Sequence, residues 1–294
     1  MPTEQQFNAA WTDHRPYLVD LAFRMLGDIG QAEDAVQEAF YRLSKSDFDS
    51  IEDERGWLVV VTSRLCLDLI GSAQARRERS GGGTDLDVVG RTLTEPPADP
   101  ADRITLDDSV RLALLIVLER LTPPERVAYV LHDIFQVPFD TIAETVGRPP
   151  ATCRQLARRA RLKLEQPDGV GRFEVTVPEH QVVTERFIEA CANADFDALV
   201  QVLDPEVTGG VDLRPGLVVQ GAGRVARNII TFWGRKATLV SLPIGAEPCI
   251  LAFVDRDLAA VIELSVANHA VRDIHVTARP EALQALRAQL GRST

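Results

Sequence analysis

Apolar positions in the first eighty residues recur at helical spacing. Over 11–27, Tyr17, Leu18, Leu21, Ala22, Met25 and Leu26 form one stripe, and Gly27 is placed to end the helix. Over 31–44 the pattern is sharper: Ala32, Ala35, Val36, Ala39, Phe40 and Leu43 fall on one face, with Glu33 and Asp34 in the first turn, where the helix dipole favours anions. A polar loop, 45–55, then surrounds Phe48 and Ile51. The run WLVVVTSRLCLDLI (57–70) leans toward strand by its valines, but its length and the i, i+4 spacing of Arg64 and Asp68 predict a helix. That helix continues into a basic end at 74–79.

From 80 to 101 the chain is rich in Gly, Pro and Asp, the composition of a linker. Fully extended it reaches about 70 Å at ~3.3 Å per residue. An amphipathic helix is predicted over 102–118. Thr122-Pro-Pro-Glu125 reads as an N-cap, a proline start and a capping-box acid for a helix over 125–135. Residues 139–164 read as two short helices joined at Gly147, where a left-handed residue is cheap. The second helix sets Cys153, Leu156, Ala157 and Ala160 inward and carries Arg154, Arg158, Arg159, Arg161 and Lys163 with no acid among them. A basic second helix after a tight turn is the signature of a helix-turn-helix entering a major groove. Arg148 departs from the pattern, since most such units place an apolar residue after the glycine.

After a connector at 166–178 the pattern changes. Helices are predicted over 179–192 and 196–203. Strands follow at 217–220, 238–243, 249–254, 259–266 and 269–277, with a helix over 225–233 between the first two and a closing helix at 280–290. Helices first, then consecutive strands, argue an α+β domain.

The 294 residues carry a net charge of −11, which excludes a protein that coats nucleic acid indiscriminately. A local basic helix on an acidic chain instead points to DNA contact conditional on a partner. Cys66, Cys153, Cys191 and Cys249 lack metal-site spacing and are expected as buried small hydrophobes, with redox sensing the lesser alternative. No signal peptide and no apolar run of membrane-spanning length is apparent, so a cytoplasmic protein is expected. Neither cofactor nor metal is implied. In the last third, Asp212, Glu263, His269, Asp273 and His275 are candidate acid/base groups. No pair of them has a spacing that demands catalysis, and no enzyme activity is expected.

Two stretches carry a more specific resemblance. Residues 118–164, LERLTPPERVAYVLHDIFQVPFDTIAETVGRPPATCRQLARRARLKL, resemble region 4 of the extracytoplasmic-function (ECF) sigma factors. HRPYLVDLAFRMLGDIGQAEDAVQEAFYRL followed by ERGWLVVVTSRLCLDLI resembles region 2. The run ERFIEACANADFDALVQVLDPEV resembles the opening of a SnoaL-like, or NTF2-like, cone fold. Together they imply a multidomain chain: an all-α region 2 bundle (1–79), a linker (80–101), an all-α region 4 helix-turn-helix (102–165) and an α+β SnoaL-like domain (179–294).

The resemblance implies a factor that binds core RNA polymerase, at the β′ clamp helices and the β flap, and directs it to promoter DNA. Region 4 would meet the −35 element through Arg148, Thr152, Arg154, Gln155, Arg158, Arg159, Arg161 and Lys163. Region 2 would meet the −10 element through Lys45, Trp57, Arg64, Arg76, Arg77 and Arg79. Asp34, Gln37 and Glu38 match the surface that docks on the clamp helices. In the class with a fused SnoaL-like domain, that domain regulates the sigma portion in cis. Linker residues Leu93, Glu95 and Pro96 would meet Gly209, Gly210 and Asp212, and an unknown small ligand could occupy the cone. The alternatives are a ligand-sensing helix-turn-helix regulator and a cyclase- or isomerase-type enzyme with a DNA-binding appendage.

Overall fold

The structure, a computed structural model, describes residues 3–79, 120–164, 178–213, 218–242 and 249–284. The expectations for 80–101 and 102–118 lie outside these residues. Helix α1 (Glu4–Leu26) starts earlier than its apolar stripe, because Thr3 closes a capping box with Gln6, and it ends at Gly27 in the left-handed conformation (φ 75°). Asp28 caps α2 (Ile29–Lys45) by accepting from the Gln31 amide. Helix α3 (Glu54–Arg79) includes the valine run, as predicted. Against expectation, its stretch Glu54–Ala73 has the length and mean hydropathy, 1.4, of a membrane span. Glu54, Arg55, Arg64 and Asp68 interrupt that run, and the helix packs on both α1 and α2. Its buried Leu58, Val59 and Cys66 are part of a protein core.

Thr122 and Glu125 form the predicted capping box of α4 (Pro123–Tyr129). The helix does not run straight on to 135 but loosens into a π turn at Val130–Ile134. Helices α5 (Phe139–Val146) and α6 (Pro150–Leu164) follow, with Gly147 left-handed between them (φ 67°). Helices α5 and α4 both rest on α3.

The C-terminal domain opens with α7 (Pro178–Asn193) and α8 (Phe196–Val202), then β1 (Leu203–Val211), β2 (Val218–Gln220), α9 (Ala222–Phe232), β3 (Ala237–Leu242), β4 (Cys249–Val254), β5 (Asp257–Ala267) and β6 (Ala270–Thr277). The strands form one sheet in the order β2-β1-β6-β5-β4-β3. All pairs are antiparallel except β1 with β6. Two-residue turns at Asp255-Arg256 and Asn268-His269, with φ between 52° and 69°, close the β4–β5 and β5–β6 hairpins.

The sheet is apolar on both faces, and each face serves a different core. Leu239, Ile250, Ala252, Ile262, Leu264 and Ile274 pack with α7, α8 and α9 inside the cone. Val240, Leu242, Cys249, Leu251, Phe253 and Val261 belong instead to the core of the N-terminal helices, with Leu18, Leu21, Phe23 and Met25. The rings of Phe23 and Phe253 meet at 5.5 Å. A fully buried side chain of this size contributes about 1.5–3 kcal/mol relative to an exposed one. The packing of these side chains therefore holds the C-terminal domain on the first bundle.

Within this contact lies a buried polar junction. Asp20 (4% exposed) accepts from the Ser241 amide at 2.7 Å and its hydroxyl at 2.8 Å, and so caps a free N–H on edge strand β3. Arg24 (6% exposed) pairs with Asp20 at 3.3 Å and donates to Ser241 Oγ at 2.5 Å. Its guanidinium also lies over the Phe135 ring, 5.2 Å from the centroid. Tyr17 packs edge-on to the same ring at 5.0 Å, beneath Arg55.

Glu185 of α7 shares this neighbourhood. Burial pushes its carboxyl above the ordinary carboxylate range, outweighing the hydrogen bond from Gln181, and the nearby Asp20 pushes the same way. The folded chain therefore keeps the Glu185 proton over a pH window in which the unfolded chain has released it. Stability contributed by protonated Glu185 is full below the unfolded pKa and is lost as pH rises through the raised folded value. Glu185→Gln is expected to flatten this fall above about pH 4.5 and to raise stability at neutral pH, as read by chemical unfolding of the full chain across a pH series.

Candidate nucleic-acid interface

The helix-turn-helix presents its cations unequally. Cys153, Leu156, Ala157 and Ala160 bury one side of α6 against α4 and α5, leaving Arg154, Gln155, Arg158, Arg159 and Arg161 exposed and Thr152 half-buried. Arg154 lies over the Phe139 ring, 5.4 Å from its centroid, which fixes the direction of its stem. The side chains of Arg148, Gln155 and Arg158 have no hydrogen bond or ion pair among the described residues. The C-terminal cations are held inward. Lys163 Nζ meets Glu125 Oε2 at 2.6 Å, Arg159 approaches Glu125 Oε1 at 3.9 Å, and Arg161 reaches Asp133 at 2.5 Å. Arg148, Arg154, Gln155 and Arg158 thus form the open face of the helix-turn-helix, while Arg159, Arg161 and Lys163 tie α6 to α4 and the π turn.

Glu125 is a hub of this arrangement. Burial alone would raise its carboxyl, but hydrogen bonds from Lys163 and Thr122 outweigh it and hold the group below the usual range.

The region 2 candidates do not converge on one surface. Lys45 lies over the Tyr41 ring, 4.0 Å from the centroid. Trp57 packs against the core and is half-buried. Arg64 donates to the Glu144 carbonyl of α5 at 2.8 Å, so in this arrangement it clasps the helix-turn-helix. Arg76 is exposed and turned onto the Ser72 carbonyl at 3.4 Å. The side chains of Arg77 and Arg79 lie outside the described residues.

The acidic face of α2 is partly covered by the C-terminal domain. Arg256, at the β4–β5 turn, contacts Asp34 at 2.6 Å and Glu33 at 3.2 Å, and Glu33 also holds Arg15 and Thr238. Glu38 pairs with Arg42 on its own helix. Gln37 borders an open groove between α1 and α2 floored by Trp11 and Phe40. Sequence reasoning named Asp34 but missed Arg256. FVDRDL between two apolar runs is a readable hairpin signal, but nothing in it names the carboxylates its turn will meet.

Of the linker contact, Leu93, Glu95 and Pro96 lie outside the described residues. Gly209 faces Val225, and a Cβ at Gly210 would meet nothing within 4 Å. Asp212 accepts from the amides of Ala278 at 2.8 Å and Arg279 at 3.3 Å, and from the Arg279 guanidinium at 3.1 Å. Although burial opposes it, these donors hold the Asp212 carboxyl below its ordinary range, as expected of a structural clasp between the ends of β1 and β6.

The remaining acid/base candidates point away from the cone. His275 pairs across the sheet with Gly210 and Glu263 on the outer face, and Thr208 bonds Asp273 beside them. His269 sits in an exposed turn. The cone interior is filled by apolar side chains such as Phe187, Leu199, Ile250 and Ile262. All four cysteines are buried and free. Burial pushes the Cys66 thiol up to about 12 and raises the other three as well, which leaves little thiolate for redox chemistry.

Comparison with known proteins places these surfaces in a family. Residues 10–76 match Sigma-70 region 2 and residues 111–164 match Sigma-70, region 4. The chain is 52% identical over 295 residues to a probable ECF RNA polymerase sigma factor, SigI, of Mycobacterium tuberculosis, covering 99% of each. It is 36% identical over 261 residues to the ECF RNA polymerase sigma factor SigJ of the same organism, covering 82% of this chain and 80% of SigJ. The crystal structure of SigJ aligns over 96% of this chain and 99% of that one at 29% identity, with a TM-score of 0.38. The chain is thus a transcription initiation factor of the sigma-70 type. The chain belongs to the ECF sigma factors, and its helix-turn-helix is a DNA-binding element of transcription initiation.

Removing the hub should loosen region 4. Glu125→Ala deletes the capping box and frees Lys163 and Arg159, and is expected to cost about 1–2 kcal/mol of stability. The Glu125 carboxylate stabilises region 4 above the usual carboxylate range, and this is lost as pH falls through its lowered value. The acid limb of the stability profile below about pH 4.5 should accordingly shrink in the variant.

Proposed function

We propose that this sigma factor docks on core RNA polymerase through the α2 face around Asp34, Gln37 and Glu38, with region 4 on the β flap. Arg148, Arg154, Gln155 and Arg158 meet the −35 element, and region 2 meets the −10 element. The C-terminal domain holds regions 2 and 4 closed on each other in cis. The observation that carries this reading is Arg256 seated on Asp34 and Glu33. A residue of the C-terminal domain thereby occupies the surface that resemblance assigns to the clamp helices. Arg64 on the Glu144 carbonyl supports it further, since a proposed −10 contact is spent on region 4 while the chain is closed. Docking and promoter reading then both require the C-terminal sheet to release region 2.

Reconstitution with core polymerase tests the reading. Deleting 179–294 exposes the apolar face of α1, so a point change is the better probe. Arg256→Glu places a like charge against Asp34 and Glu33 and is expected to tighten core binding and raise promoter-dependent transcription by about two- to fivefold. Unchanged affinity and unchanged transcripts would count against gating through this contact. Arg158→Ala is expected to weaken promoter binding by about 1–3 kcal/mol, while Arg161→Ala, which first breaks an internal pair, should weaken it less. Equal losses from the two would overturn the division of α6 into reading and anchoring cations.

A further inference from the structure

Several described surface arginines face a carboxylate, among them Arg15, Arg42, Arg161, Arg256, Arg272 and Arg279. Two groups of exposed cations stand together with no carboxylate partner among the described residues. One is the open face of the helix-turn-helix, Arg148, Arg154 and Arg158. The other lies on the C-terminal domain: Arg224 and Arg227 on α9, then Arg235 and Lys236 in the turn that follows. No Asp or Glu occurs between residues 213 and 246. At the chain's own frequency, 43 acids in 294 residues, a stretch of that length would hold about five.

Helical spacing sets Arg224 and Arg227 on one stripe, and Arg235 and Lys236 follow in the turn after the helix. Arg224, Arg227, Asn228 and Thr231 fall on the solvent side of α9, and the stripe ends at Phe232, which is 70% exposed. The opposite side, Ala222, Val225, Ala226 and Ile229, is buried in the cone. That burial decides between polyanions. A basic amphipathic helix binds a lipid surface by inserting its apolar side, and here that side is already committed to the domain core. From Arg224 to Thr231 the stripe runs about 10 Å at ~1.5 Å per residue, the axial rise of about three phosphates on one strand, with Arg235 and Lys236 beyond it.

We infer that the α9 face of the C-terminal domain docks on the phosphate backbone of the promoter duplex, as a second DNA-binding surface besides the helix-turn-helix. The contact reads no bases. Four unpaired cations supply affinity through counterion release, in a chain whose net charge of −11 otherwise repels DNA. Once the C-terminal domain leaves region 2, this surface gives it a place on the same DNA. The contact does not depend on where Arg256 sits.

Holoenzyme assembled from the full chain and core polymerase, bound to a promoter fragment across a salt series, tests the assignment. Arg224→Gln/Arg227→Gln is expected to make the fall of log K with log salt shallower by about two, at ~0.9 per lost phosphate contact. The same change is expected on a fragment whose −35 element is scrambled, with affinity for core polymerase unaltered. Arg235→Gln/Lys236→Gln should act similarly, and thermal unfolding of both variants should match the parent, since all four side chains are exposed. An unchanged salt slope would overturn the inference. So would a loss that traces to core polymerase binding, which would mark the face as a site for an acidic protein surface.

Discussion

Three parts of this chain meet at one side chain. Arg24 belongs to the first helix, pairs with Asp20 one turn earlier, donates to Ser241 on edge strand β3 and covers Phe135 at the end of the π turn. Two charges have been taken out of water at a cost of several kcal/mol, which their attraction repays only when every remaining polar atom is satisfied. Asp20 is satisfied, by the amide and hydroxyl of Ser241. Arg24 donates to Asp20 and Ser241, but its Nη1 has no hydrogen-bond partner, and the guanidinium lies over the Phe135 ring. A junction of this kind adds little net stability but tolerates few alternative arrangements. A sheet shifted by one residue would present Val240 or Leu242 to Asp20 in place of a hydroxyl. The apolar contact around the junction supplies adhesion, and the junction sets the register.

This arrangement gives the C-terminal sheet its unusual composition. A sheet closing a cone on one side ordinarily turns a polar face to water on the other. Here β3, β4 and β5 are apolar on both faces because the second face completes the core of region 2. Toward β6 and β1 the outer face reverts to Asp273, His275, Glu263 and Thr208, residues suited to solvent. The boundary of the interdomain contact is thus written across the sheet as a change from apolar to polar. The groups that suggested acid/base chemistry lie on its wet side, and Asp212 is occupied in closing β1 onto β6.

Much of the fold could be read from periodicity and local chemistry. The three helices of the first bundle, the Thr122–Glu125 capping box, the Gly147 turn and the β3–β6 strands all announce themselves through spacing, caps or two-residue turns. Strand β1 does not. Its sequence, LDPEVTGGV, contains a proline and two glycines and has little strand propensity, and it exists because the main chain of β6 pairs with it in parallel. The π turn was equally hidden, since an apolar helical pattern looks the same with one residue more per turn. The functional surfaces divide likewise. The basic face of α6 is local and could be named residue by residue. Which of its cations are free depends on Glu125 and Asp133, which come from α4 and the π turn. The ion pair between Arg256 and Asp34 joins positions 222 residues apart, and no periodicity carries that information.

Magnitudes decide what kind of gate the closed arrangement can be. Arg256 and Asp34 are 51% and 63% exposed at the side chain, and an exposed pair is worth about 0.2–1 kcal/mol. That shifts an equilibrium by a factor of about five at most. The contact around Phe23, Phe253, Val240 and Leu251 is of another order, since each buried side chain contributes about 1.5–3 kcal/mol. A lone closed chain would therefore open rarely, and Arg256 cannot be the bolt. The energy for opening has to come from surfaces that only the open form can use, the polymerase and the promoter. Moving a two-state equilibrium from 1:99 to 99:1 needs about 5.5 kcal/mol of differential binding. A dock on polymerase and DNA contact at more than one site can supply that sum together where neither need do so alone. In the proposed gate, the acidic net charge of −11 disfavours DNA contact before polymerase is present.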